Sequence, residues 1–208
     1  MTFYFQTIKT LIKVKNQRTF IKIIVFNFLL LILFSLESFS QEDNYNCYIK
    51  NIKQTNEKTL EFDVFLEWTG GSSQKLTFFQ AGINFNYDGM AGGGVITGTF
   101  KPGSVDPSLP NAQQKLNWNI NQSSKQIRLK TGIAMDSVAV SIPPAPGFRL
   151  GTFVMTNTVP FSKSFKPDFN WSFAKGSSTL TKTMVTVYLN GINTPKDITN
   201  PKNHLVKE

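Results

Sequence analysis

An all-β, two-sheet sandwich is the fold class that the sequence predicts. Three observations predict it. Apolar and polar residues alternate with period two in stretch after stretch. Gly, Pro, Asn and Ser separate those stretches. No segment beyond residue 40 carries an amphipathic helical stripe. With 208 residues, 40% of them apolar and 13% aromatic, the chain can bury one core.

The first element is of another kind. Lys9, Lys13, Lys15, Arg18 and Lys22 precede an apolar run from Ile23 to Leu36, and no acid appears before Glu37. A basic head, an apolar stretch and small residues at Ser38 and Ser40 describe a secretory signal helix, residues 1–40, cut between Ser40 and Gln41. The alternative is a retained N-terminal membrane anchor, for which Ile23–Leu36 is shorter than the ~20 apolar residues of a spanning helix. Cleavage takes five bases and one acid from totals of 22 and 13, leaving a net charge of +5. The remaining bases are spread out, so nucleic acid is not an expected partner. A membrane is one only through an uncleaved leader.

The module proper is expected over residues 41–190. Asn46–Ile52 alternates around Cys47, whose isolation excludes an internal disulfide and suggests a small buried hydrophobe. In Thr59–Trp68, Leu60, Phe62, Val64, Leu66 and Trp68 alternate with Glu61, Asp63, Phe65 and Glu67. In Leu76–Tyr87, Phe79, Ala81, Ile83 and Phe85 alternate with Phe78, Gln80, Gly82 and Asn84. Gly94–Phe100 follows a Gly92-Gly93-Gly94 loop. Lys115–Asn121 and Gln126–Thr131 form a hairpin around Gln122-Ser123-Ser124-Lys125. Phe148–Thr156, Phe169–Phe173 and Met184–Leu189 complete about nine strands. Lys101–Asn111 and Ile142–Gly147 each hold three prolines, which lack a donor and break ladders. Residues 191–208 are polar, contain Pro195 and Pro201, and read as a tail or linker stub.

A symmetric hairpin between Thr59–Trp68 and Leu76–Tyr87 would pair Val64 with Phe79, Phe62 with Ala81 and Leu60 with Ile83. All six are apolar, as a common core face requires. The same register sets Phe65 opposite Phe78 on the polar face, beside Gln80 and Asn84. Aromatic rings on a rigid sheet can stack on sugar rings while amides bond hydroxyls, so Phe65, Phe78, Gln80 and Asn84 form the candidate glycan platform. A covered cross-strand pair is the plainer alternative. Trp68, Trp118 and Trp171 stand on apolar faces and read as core.

Catalytic groups are scarce. His204 is the only imidazole and lies in the expected tail, which argues against a His-based triad. The glycine run has no Lys-Ser or Lys-Thr after it and is not a phosphate loop. One Cys and one His leave no ordinary zinc site, and no cofactor is expected. Glu61 and Asp63 share one strand face at ~6.6 Å, within the range of a glycosidase pair. A solvated face would not separate their acidities, so glycoside hydrolysis stays a distant alternative.

Several phrases of the sequence resemble a known family. They are Leu60-Glu61-Phe62-Asp63-Val64-Phe65-Leu66, Gln80-Ala81-Gly82-Ile83-Asn84-Phe85-Asn86, Gly151-Thr152-Phe153-Val154-Met155-Thr156-Asn157-Thr158 with Val159-Pro160-Phe161, and Phe169-Asn170-Trp171. Together, over residues 45–190, they resemble the N-terminal module of secreted bacterial surface proteins. That module is similar in fold to cohesins and to two-sheet carbohydrate-binding modules. The resemblance implies a jelly-roll or immunoglobulin-like sandwich without catalytic residues, in an envelope or extracellular setting. Chains of this kind often leave by type IX secretion and continue into further modules, whereas this sequence stops at Glu208. A stand-alone module or a truncated reading frame is expected. The function expected is non-enzymatic binding at the cell surface, with a polysaccharide or another surface protein as partner. A spacer or adhesion domain without a small ligand is the alternative.

Overall fold

The computed structural model describes residues 45–162, 165–173, 180–189 and 193–207. The expected leader, with its cleavage point at Ser40 and Gln41, lies outside the described residues. The described residues all fall within one compact unit, Asp43–Glu208.

Alternation becomes strand wherever the sequence repeats it. The strands are β1 (Tyr45–Asn56), β2 (Thr59–Trp68), β3 (Lys75–Asn84), β4 (Ile96–Phe100), β5 (Asn117–Asn121), β6 (Gln126–Lys130), β7 (Phe148–Asn157), β8 (Asn170–Trp171), β9 (Met184–Tyr188), β10 (Pro195–Asp197) and β11 (His204–Val206). Two short helices, α1 (Tyr87–Ala91) and α2 (Asn111–Gln114), sit in connections. Asp88 and Gly89 lie inside α1, which ends on Gly92 in the left-handed region. The first sheet has the order β11-β1-β2-β7-β4, and the second runs β10-β9-β3-β6-β5 with β8 on the far part of β3. The chain is thus all-β in two sheets, with eleven strands among the described residues.

Between the sheets lies an aromatic core. Phe62 is fully buried, with ring centroids 5.2 Å from Phe153, 4.6 Å from Phe169 and 6.5 Å from Trp118. Such rings gain from burial and from tilted or edge-on geometry together. Cys47 is wholly buried, and burial pushes its thiol well above the ordinary range. Trp68 and Trp118 are core residues. Trp171 is only half-buried.

Two sequence expectations fail here. The first is the β2–β3 hairpin. β2 pairs with β1 and β7, while β3 pairs with β6, β8 and β9, so the two strands belong to different sheets. The connection between them is instead held by residues 140–143. Trp68 donates its N–H to Pro143, Ile142 to Gln74 and Leu76 to Val140. Leu60, Phe62 and Val64 on one sheet and Phe79, Ala81 and Ile83 on the other all belong to the shared buried core, without being ladder partners. Apolar matching is demanded by either arrangement, so it could not distinguish them.

The second is the tail. Residues 195–197 pair with β9, and residues 204–206 pair in parallel with β1 at Cys47, Tyr48 and Ile49. Ile198 is buried and donates its N–H to Val185 at 2.9 Å. Asn200 accepts from Lys202 and starts a 3-10 turn, Pro201–Asn203, that redirects the chain from one sheet to the other. An edge strand needs backbone donors and acceptors more than apolar side chains, and the segment's polarity concealed that role.

Candidate functional site

The separation of β2 from β3 divides the expected platform. Phe65 alternates with fully buried Val64 and Leu66, so it lies on the outer face of the first sheet. Phe78 alternates with fully buried Phe79 and lies on the outer face of the second. The two rings point away from opposite sides of the sandwich. Phe78, Gln80 and Asn84 do share one face of β3. There Gln80 donates to the Lys182 carbonyl at 2.6 Å, and Asn84 accepts from Gln126 at 3.1 Å. Near them, Gln80, Asn117, Asn119, Arg128 and Lys130 line a shallow cavity of about 270 Å³. The expected four-residue site is therefore not assembled.

A larger cavity, of about 310 Å³, lies on the outer face of the first sheet. Two bulges build it, one on each neighbour of β2. On β1 the pairing slips between Lys50 and Lys53, so Asn51 and Ile52 together oppose the stretch around Phe62. Asn51 adopts φ 57°, a left-handed conformation that Asn tolerates better than most side chains. On β7 the pairing slips at Leu150, so Arg149 and Thr152 both point outward although they stand an odd three positions apart. Bulges re-aim side chains in this way, and they gather beside functional sites.

Asp63 lies at the floor with 8% of its surface exposed. Its carboxylate accepts from Asn51 Nδ2 at 2.7 Å and from Thr152 Oγ1 at 2.5 Å. Glu61 stands beside it. Its Oε2 lies 3.4 Å from Lys101 Nζ and 3.9 Å from Lys53 Nζ. The loop of residues 101–106 forms one wall and is tied to β7. Lys101 donates its N–H to Thr152, Ser104 Oγ accepts from the Thr152 N–H at 2.9 Å, and Asp106 donates its N–H to Arg149. Arg149 Nε donates to the Ser104 carbonyl at 2.5 Å. Its two terminal nitrogens have no protein partner among the described residues.

Phe65, directly opposite Arg149 in the ladder, borders this site. Lys50 Nζ sits 3.6 Å above its ring centroid, a cation–π contact. Next along, Tyr48 donates to Glu67 Oε1 at 2.7 Å, and Lys207 lies over the Tyr48 ring at 3.8 Å. Burial, then the bond to Glu67 and its charge, push the Tyr48 phenol up to about 12.

Of the sequence candidates, this face holds Phe65, Glu61 and Asp63. Glu61 and Asp63 do not lie on a solvated face as expected; they line a cavity. Asn51, Lys101, Ser104, Arg149 and Thr152 were missed. One signal was present for both bulges. Apolar parity breaks between Ile49 and Ile52 and again between Leu150 and Phe153.

The arrangement suits recognition of a polar ligand. Asp63 has both oxygens engaged by neutral donors, and Glu61 stands beside two exposed lysines. Neither is placed as a proton donor to a leaving group, which glycoside hydrolysis needs from one of the two. A cation is disfavoured by Lys53, Lys101 and Arg149. Among the described residues no three His, Cys, Asp or Glu side chains gather to hold a metal.

No family model matches the chain, and no curated protein matches it. Among solved structures it is similar to the second type II cohesin module from the cellulosomal adaptor ScaA scaffoldin of Acetivibrio cellulolyticus. The identity is 7% and the TM-score 0.44, over 81% of this chain and 95% of that one. A likeness of that size does not show a common family.

Proposed function

We propose that the chain is a non-catalytic binding module, exported to the cell surface or beyond, that recognises a glycan on the outer face of its first sheet. The observation that carries this reading is the cavity of about 310 Å³ between the two bulges. Its volume is at the lower end of small-ligand sites, which run to roughly 300–1,000 Å³. Its lining mixes acceptors for sugar hydroxyls, Asp63 and Glu61, with donors such as Asn51 and Lys101. Phe65 at its border offers a ring. The export half of the reading rests on the basic and apolar pattern of residues 1–40.

Affinity electrophoresis against a panel of polysaccharides tests it. At least one polymer should retard the protein, and Phe65→Ala and Glu61→Gln should each weaken the retardation. Phe78→Ala, on the opposite face, should leave it unchanged. No retardation by any polymer, or equal retardation of wild type, Phe65→Ala and Glu61→Gln, would refute glycan recognition at this face.

A second reading, a spacer or adhesion domain with no small ligand, has one observation in its favour. The Lys50 ammonium occupies the ring face of Phe65 on which a sugar would stack. It predicts the null result in the same experiment.

A further inference from the structure

Building on the glycan reading above, we infer that the ligand carries a carboxylate: the cavity takes a uronate-type sugar of an acidic polysaccharide, with Arg149 as its clamp.

Arg149 supplies the first reason. Its Nε is spent on the Ser104 carbonyl, which fixes the guanidinium plane against the 101–106 loop. The terminal nitrogens, which form the fork that matches a carboxylate bidentately, are without a protein partner among the described residues, and Arg149 is one of the residues that line the cavity. A guanidinium fixed by one bond and open on its other edge is already oriented for a planar anion, so little ordering remains to oppose binding.

The charge inventory supplies the second. Three bases line the cavity against two acids. Lys101 and Lys53 approach Glu61 only to 3.4 and 3.9 Å, longer than the roughly 2.7–2.9 Å of a closed charge-assisted bond. Both are exposed at the rim and can swing to an incoming anion at small cost.

The acids decide which kind of carboxylate fits. An acidic peptide brings carboxylates but few hydroxyls, and so offers nothing for Asp63 and Glu61 to accept. A uronate brings ring hydroxyls beside its carboxylate. Those hydroxyls can donate to Glu61 while the carboxylate meets Arg149. Acceptors and a free guanidinium in one small cavity therefore match the two ends of one acidic sugar.

The test is titration calorimetry of the exported chain with polygalacturonate, its methyl ester, a neutral β-glucan, a sulfated glucan and polyglutamate. Arg149→Lys keeps the charge and removes the fork. Lys101→Ala, at the exposed rim, gives a second variant whose folding does not depend on Arg149. Polygalacturonate should bind at least tenfold more tightly than its ester. Arg149→Lys should weaken it by roughly 10–100-fold, as for a lost hydrogen bond to a charged group, and Lys101→Ala severalfold. Both losses should be absent with the ester. Equal binding of acid and ester would overturn the inference while leaving glycan recognition intact. So would a sulfated glucan or polyglutamate binding as tightly as polygalacturonate, or equal affinity in wild type and both variants. No binding to any of the sugars would remove the glycan reading itself.

Discussion

Lowering the pH from 7.5 to 4 should destabilise this fold through one side chain, His204. Its imidazole is 8% exposed and is surrounded by rings, with centroids 5.7 Å from Tyr45, 5.2 Å from Trp171 and 5.0 Å from Phe173. No charged group is among those contacts. Nδ1 lies 2.9 Å from the Asn200 carbonyl, so it carries the proton and donates; buried Nε2 has no partner among the described residues. Protonating Nε2 would place a charge among apolar rings. Burial therefore lowers the pKa from 6.5 to about 4, against a smaller opposing effect of the Asn200 carbonyl. Above pH 6.5 the imidazole is neutral in both folded and unfolded chains, and stability is complete. Between 6.5 and about 4 only the unfolded chain takes up the proton, so stability falls as pH falls. Below 4 both states bind it and the loss is complete. At about 1.4 kcal/mol per pH unit the full loss is ~3 kcal/mol. A cation–π return from the surrounding rings of about 1 kcal/mol would reduce it to about 2. Either value is a large part of a typical stability of about 5–15 kcal/mol. Urea unfolding at a series of pH values, for wild type and His204→Phe, measures it. The substitution keeps a ring in the cage and removes the titration. Carboxylates contribute equally to both proteins, so the difference in slope between pH 6.5 and 4 belongs to His204. Parallel slopes would refute the reasoning.

Two further outcomes follow from the same structure. At Asn51, φ 57° penalises a side chain, while the hydrogen bond that its side-chain amide donates to Asp63 offsets it. Asn51→Gly loses the bond but relaxes the backbone, whereas Asn51→Ala loses both. The alanine variant should therefore unfold with about 1–2 kcal/mol less stability than the glycine variant. Chemical denaturation compares them, and equal midpoints would contradict the strain. Deleting residues 200–208 removes β11 from the edge beside Cys47. A thiol reagent at pH 8 should then modify Cys47 at least tenfold faster than in the intact chain, where the thiol is wholly enclosed. Equal rates would mean that β11 does not cover it.

Element positions were legible because alternation is a local property. All nine expected strands are present, and Thr59–Trp68 carries the same bounds in sequence and structure. Pairing was not legible. Two apolar strand faces side by side in one sheet and two apolar faces brought together from two sheets impose the same pattern. The platform built on that pairing accordingly lost Phe65 to the other side of the molecule. The cavity was hidden for a related reason. Arg149 and Thr152 share a face only because Leu150 is an extra residue in the ladder, and a strict period of two assigns them to opposite faces. His204 was misplaced because polar neighbours suggested solvent. Its burial comes from rings supplied by β1 and by the stretch around β8, far away in sequence.

The neighbouring placement of β1 and β11 has a mechanical consequence. The two strands run parallel, with Cys47, Tyr48 and Ile49 beside His204, Leu205 and Val206, and the Lys207 N–H bonds the Ile49 carbonyl at 2.8 Å. Tension applied between residue 45 and residue 207 would slide these strands past each other lengthwise. Every bond between them would then bear load at once, instead of opening one at a time as in a peeled hairpin. Drawn from those two points, the domain should resist force in shear, and β11 should be the first piece to yield.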